Sequence, residues 1–161
     1  MASVRLVLPI PDGSPRRELD EDRSLIVLEG SEERPVVTLT LHHPRVVAMS
    51  LLEFATDVAR SDLPKGGTAN VVSSRVDPNR FGWTMQLIDA VVNATDGAEI
   101  EVRLTAVYRF TPYRTFPAAA IARIHEPRRS AELRPRIVAM LEEGRPDWSG
   151  SEVASLSQLY E

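Results

Sequence analysis

The sequence predicts an α+β fold, with a mostly antiparallel sheet of about six strands, one long helix packed on it and further helices at the C-terminal end. Three observations lead to this class. Apolar and polar residues alternate with great regularity over 99–110, the spacing turns helical after Pro44, and turns rather than linkers separate the elements. At 161 residues the chain has the usual size of one domain. We therefore expect a single domain over 1–161.

Three strands are predicted before the long helix. Residues 4–8 and 24–28 are short apolar runs, and the charged, turn-rich stretch between them is predicted to be a solvated loop. Residues 35–41 alternate, which is typical of a strand buried on one face. The apolar side of that alternation is Val37, Leu39 and Leu41, and the polar side is Thr38 and Thr40.

The long helix is predicted at about 44–60. Proline is favoured at the first helical position, because its missing N–H would have no partner there. Pro44 therefore suits a helix start, and the residues after it follow a helical period. The apolar positions of that period are Val47, Leu51, Phe54, Ala55 and Val58, and the polar ones are Glu53, Asp57 and Arg60.

Three more strands follow the helix. The composition of residues 69–76 predicts a strand, with Ser73 and Ser74 as solvent-facing or edge residues. Residues 81–94 fit either a strand or a short helix. We favour a strand, because the turn at 95–97 leads directly into the alternating run 99–110. Asp89 interrupts the apolar pattern of this segment; if it is buried it needs a cationic partner, and Arg75 or Arg103 could supply one.

Residues 117–161 are predicted to be a helical C-terminal extension of the same domain. The alanine-rich stretch from Pro117 to Pro127 has a helical composition, and a second helix is expected from Pro135 to Gly144. Ser149 or Ser151 could cap a short terminal helix.

The composition excludes several kinds of chemistry. The chain contains no cysteine, which excludes disulfides, thiolate nucleophiles and cysteine-based metal sites, and which suits a cytoplasmic protein. His42 and His43 are neighbours whose side chains would point to opposite faces of a strand, so they cannot easily share a metal ion. No serine lies in a nucleophile-elbow motif. We therefore predict no catalytic, cofactor-binding or metal-binding residues, and we regard enzymatic activity as the less favoured interpretation.

Charge is distributed unevenly along the chain, although the net charge is only −4. The first 62 residues hold 7 basic and 11 acidic side chains, whereas residues 103–136 hold eight arginines and only two acidic residues, Glu126 and Glu132. Aromatic residues are interleaved with these arginines, a combination that also occurs in single-strand nucleic-acid binders. Nucleic-acid binding through 103–136 is therefore one alternative, although the acidic chain as a whole disfavours it.

The favoured prediction is a non-catalytic bacterial component that works through protein contacts, as an adaptor, an immunity-type protein or a self-associating homo-oligomer. Complementary acidic and basic segments can pair between subunits, and arginine and large aromatic residues dominate interfaces. The candidate interaction residues are Arg109, Tyr113, Arg114, Arg128, Arg129 and Trp148. A further alternative is a small-ligand pocket between helix 44–60 and the sheet, lined by Phe54, Trp83 or Tyr108.

Overall fold

The computed structural model describes residues 5–44, 51–78, 83–110 and 113–147. Within them lie nine strands, two α-helices and a 3-10 turn. The strands are β1 (Arg5–Val7), β2 (Arg16–Glu18), β3 (Arg23–Gly30), β4 (Pro35–His42), β5 (Thr68–Pro78), β6 (Trp83–Asn93), β7 (Glu99–Phe110), β8 (Tyr113–Ile124) and β9 (Arg145–Asp147). The helices are α1 (Leu51–Ala59) and α2 (Ser130–Glu142), and the 3-10 turn (Pro127–Arg129) leads into α2.

Seven of these strands form one antiparallel sheet in the order β2-β3-β4-β8-β7-β6-β5. Strands β2 to β4 and β5 to β8 are two meanders of consecutive strands, and β8 returns to lie beside β4. The short strands β1 and β9 pair with each other in a separate two-stranded sheet. The α+β class is confirmed, with a larger sheet and shorter helices than the sequence predicts.

Each face of the sheet packs against one helix. Because side chains alternate between the faces of a strand, the even-numbered residues of β7 and β8 contact the α2 side and the odd-numbered ones the α1 side. On the α2 face, Leu104 and Ala120 share a core with Leu133, Ile137 and Leu141 of the helix. A separate core on the α1 face contains Phe54, Ala55, Val58, Ala59, Ile88, Val107, Ala119 and Ile121.

The helical prediction for 117–127 is wrong over most of its length, because residues 113–124 form strand β8. Ala118, Ala119, Ala120 and Ala122 are fully buried. Alanine has no long side chain that could display a period of 2 or of 3.6, so its pattern predicts helix and strand equally well. In this sheet, small residues on a central strand allow the strand to be enclosed from both faces.

The two helices also differ from their predicted extents. The described part of the first is Leu51–Ala59, and residues 45–50 lie outside the described residues. Helix α2 begins at Ser130, five residues before Pro135, because the 3-10 turn at Pro127–Arg129 starts the helical winding earlier. The predicted terminal helix after Ser149 lies outside the described residues. Over the described parts of the chain, no helix is both long and apolar enough to cross a membrane.

The charged loop predicted between the first two strands contains β2, a three-residue strand whose side chains are all exposed. The apolar pattern could not reveal it, because an exposed edge strand needs no buried residue. Elsewhere the strand predictions are confirmed. Residues 83–93 are strand β6, and the 94–98 turn to β7 places Gly97 at a φ of +87°, where glycine is favoured.

The C-terminal end of α2 is held against the sheet by Tyr108. The buried hydroxyl of Tyr108 donates a hydrogen bond to the carbonyl oxygen of Leu141. Gly144 then passes so close to the same ring that a β-carbon there would lie 2.5 Å from the Tyr108 ring. A glycine is therefore required here for close approach, and the helix ends in a fixed position over β7.

Candidate protein-interaction surface

The arginine-rich segment 103–136 is largely neutralised within the fold. Five of its eight arginines form ion pairs with carboxylates, several of them distant in sequence. The pairs are Arg103–Glu101, Arg123–Asp62, Arg134–Asp89, Arg136–Glu29, and Arg129 with Glu29, Glu126 and Glu132. Among the described residues, carboxylates from elsewhere in the chain therefore balance most of the local excess of positive charge.

Arg103 is the most deeply buried of these arginines, with no exposed surface. Its Nε lies 2.6 Å from a carboxylate oxygen of Glu101. Its Nη1 donates to the carbonyl oxygens of Ala59 and Ser61, at 3.0 and 2.5 Å, where α1 ends. A buried guanidinium thus supplies hydrogen bonds to the free carbonyls of a helix C-terminus and docks that helix on the sheet.

Asp89 is buried, as the sequence allowed, but its partner is neither Arg75 nor Arg103. Its carboxylate pairs with Arg134 on α2, which lies on the opposite face of the sheet from Arg103. The packing of α2 on this face of the sheet brings Arg134 to Asp89, and the sequence pattern alone could not supply this pairing.

The predicted interaction residues do not form one patch. Arg109 is half-buried near the end of β7, opposite Pro117, whereas Arg128 and Arg129 follow the far end of β8. Seven residues of strand separate Pro117 from the end of β8, which corresponds to about 23 Å. Tyr113 and Arg114 begin β8, and Trp148 lies outside the described residues. Arg128 is exposed, while Arg129 is held by three carboxylates.

A serine, a histidine and a carboxylate do meet at the start of β3. Ser24 Oγ lies 3.1 Å from His43 Nε2 and donates to Glu18 at 2.7 Å. Arg5 and Arg16 surround the group, at 2.9 Å from His43 Nε2 and 3.2 Å from Ser24 Oγ. Ser24 and His43 are buried.

The hydrogen bonds around His43 differ from those of an activated nucleophile. In a catalytic triad, the histidine Nδ1–H donates to a carboxylate, and Nε2 accepts the serine proton. Here His43 Nδ1 accepts the backbone N–H of Leu6 at 3.1 Å, so a neutral ring carries its proton on Nε2. Burial, followed by the charges of Arg5 and Arg16, lowers the pKa of His43 to about 4. The cluster therefore ties β1 to the sheet through a neutral histidine.

Two of the residues proposed to line a ligand pocket under the first helix lie on opposite faces of the sheet. Phe54 packs on the α1 face and Tyr108 on the α2 face, so these two side chains cannot line one pocket. A groove of about 200 Å³ lies instead beside α2, between Leu28, Val37, Ile137 and Met140. It is smaller than most ligand pockets, which occupy about 300–1,000 Å³.

Strand β5 is the surface that differs most from the rest of the fold. It is 11 residues long, it forms one edge of the seven-stranded sheet, and none of its residues from 68 to 77 is buried. Val71, Val72 and Val76 are 55, 65 and 62% exposed. Long exposed edge strands with apolar side chains are templates for pairing with another chain. The opposite edge, β2, is short and charged, which protects it from such pairing.

Two local features shape the outer part of β5. A register shift between Val71 and Ser73 marks a β-bulge, after which the ladder with β6 is regular to Pro78. Arg75 pairs with Asp77 on its own strand and donates to Glu142 of α2 at 2.8 Å, and this second bond raises the pKa of the guanidinium. The sequence signal for this surface is the pair of adjacent serines in a strand, since Ser73 and Ser74 were predicted to be solvent-facing or edge residues.

Comparison with known proteins adds no family: no protein-family model matches this chain, and no curated protein resembles it closely enough to count as a match.

We expect the substitution Arg103→Met to lower the free energy of unfolding by about 3–5 kcal/mol, the usual cost of removing one partner of a buried ion pair. It would leave Glu101 buried without its cation, and the carbonyls that end α1 without their donor. Denaturant titration followed by circular dichroism measures the change. The exposed Arg128→Met is the matched control and should stay within about 0.5 kcal/mol of wild type. Equal effects of the two substitutions would contradict a structural role for Arg103.

We also expect the protein to lose stability between pH 6.5 and 4 through His43. An unfolded histidine binds a proton near pH 6.5, whereas folded His43 stays neutral down to about pH 4. Over this interval the unfolded state binds more protons, so the free energy of unfolding falls as the pH is lowered.

The variant His43→Asn is the test, because Asn keeps an acceptor for the Leu6 N–H and does not titrate. Its unfolding free energy should fall less than that of wild type between pH 7 and 4.5. Burial also lowers the pKa of His125, but that contribution is common to both proteins and cancels. Parallel pH profiles would show that His43 is not the titrating group.

Proposed function

We propose that this protein is a non-catalytic interaction component that binds a protein partner by strand addition at β5. The observation that carries the proposal is the exposure of β5 on both faces, with three valines in contact with solvent. In strand addition, the backbone of the partner supplies hydrogen bonds and the exposed side chains supply specificity. A cysteine-free chain fits a reducing bacterial cytoplasm, which is where we expect the complex to form.

The same observations weigh against the two alternatives. Nucleic-acid binding needs arginines that can release counterions by contacting phosphates. Five of the arginines in 103–136 instead contact carboxylates of the same chain. At the groove beside α2, the lining residues Glu29 and Arg136 are paired with each other, and Glu29 also pairs with Arg129. Neither the paired arginines nor the groove indicates a binding partner as directly as the exposed edge strand β5.

Site-specific photo-crosslinking tests the proposal in the native host. A photoreactive phenylalanine derivative replaces Val72 on β5, and in the matched control it replaces Ala139, an exposed residue of α2. We expect a defined adduct of one protein species at position 72 and none at position 139. Adding the substitution Val76→Lys should remove the adduct, because a charge on an edge strand opposes pairing.

The identity of the adduct, read by mass spectrometry, is part of the result. Either a second copy of the chain or a different protein supports interaction at β5. No adduct at position 72, or an adduct that Val76→Lys leaves unchanged, would overturn the proposal.

A further inference from the structure

We propose that the partner at β5 is a second copy of this chain, paired antiparallel with β5 about a two-fold axis through Val76. This inference rests on the proposed function, and it specifies both the partner and the register. Three features of β5 support it: the regular stretch after the bulge, the faces to which its side chains point, and the order of its charged residues.

The bulge limits which residues can pair. A β-bulge bends its strand and interrupts the ladder, and here it lies between Val71 and Ser73. The regular stretch that a second strand can follow is therefore 73–78. A two-fold axis that pairs this stretch with itself has to pass near its centre, at Arg75 or at Val76.

The directions of the side chains and the positions of the charges distinguish between these two positions of the axis. Directly opposite residues of an antiparallel pair point to the same face, so a residue of one copy must oppose a residue of the same parity in the other. An axis through Arg75 would place two arginines opposite each other, which is destabilising. An axis through Val76 places each Arg75 opposite Asp77 of the other copy.

The Val76 register is complementary in charge on one face and places two valines opposite each other on the other. Arg75 already contacts Asp77 and Glu142 in its own chain, so the second copy would extend these pairs into one network with alternating signs. On the other face, Val76, which is 62% exposed, meets Val76 of the second copy. Each cross-strand pair of this kind stabilises an antiparallel sheet modestly.

The backbone supports the same register. Proline within an edge strand belongs where the missing N–H would face away from the sheet. Pro78 is opposite Thr84 of β6, and because it has no N–H to donate to that strand, we infer that its nitrogen is on the outer side. N–H directions alternate along a strand. The N–H groups of Ser74 and Val76 therefore point to the same outer side as the nitrogen of Pro78. Val76 can exchange two hydrogen bonds with its counterpart, and Ser74 can donate to the Pro78 carbonyl of the other copy.

Single-cysteine variants test the register, because the chain contains no other cysteine. Val76→Cys should form a disulfide-linked dimer under mild oxidation, since paired residues of neighbouring strands have Cα atoms about 5.5 Å apart, within disulfide range. Ser74→Cys is the matched control and should stay unlinked, because its counterpart lies four residues away along the partner strand. Linking at Ser74 in place of Val76, or at neither position, would overturn the proposal.

Charge variants test the partner independently. Arg75→Asp makes both positions 75 and 77 acidic, and Asp77→Arg makes both basic. By light scattering we expect dimer mass for wild type, monomer mass for each variant alone, and dimer mass again when the two are mixed in equal amounts. A wild-type mass that stays monomeric at all concentrations would overturn self-pairing.

The photo-crosslinking experiment separates this failure from that of the proposed function. A monomeric wild type that still gives a Val72 adduct with a different protein removes the second copy as partner and leaves interaction at β5 intact. The absence of both the dimer and the adduct removes both proposals.

Discussion

The structure depends on one geometric constraint: two helices are too narrow to cover a seven-stranded sheet. Neighbouring strands lie about 4.8 Å apart, so seven strands span about 29 Å, whereas one helix is only about 10 Å wide. Helix α1 packs on β6, β7 and β8, and α2 packs on β7 and β8. The centre of the sheet is therefore buried from both sides, and β5 is left without cover on either face.

The buried centre determines the residues that the inner strands use. Strand β8 carries four fully buried alanines, which leave room for a helix on each side. The polar residues of β6 and β7 must find partners inside, so Asp89 pairs with Arg134 above the sheet and Arg103 pairs with Glu101 and the end of α1 below it. The arginines that look like a binding segment in the sequence thus hold the layers together.

The sequence predicted the elements whose side chains have an unambiguous period. Strand β7 alternates regularly except at Val107 and has the predicted bounds of 99 and 110, and the turn at 95–97 correctly favoured a strand over 83–93. Strand β8 was missed because a run of alanines carries no period. The ion pairs could not be predicted, because Glu29, Asp62 and Asp89 are distant from the arginines in the sequence and only the fold brings them into contact. The polar residues Ser73 and Ser74 indicated a solvent-facing or edge position, but the extent to which β5 is uncovered follows from where the helices lie.

Both proposals require that the outer backbone of β5 pairs with another strand. Residue-resolved amide hydrogen exchange, measured by NMR over a range of protein concentrations, tests it most directly at Val76. We expect this amide to exchange about tenfold or more slowly at high concentration than at high dilution. The amide of Arg75, which the alternation along the strand directs toward β6, should change little. Rapid exchange at Val76 that is the same at every concentration would contradict pairing between copies of the chain.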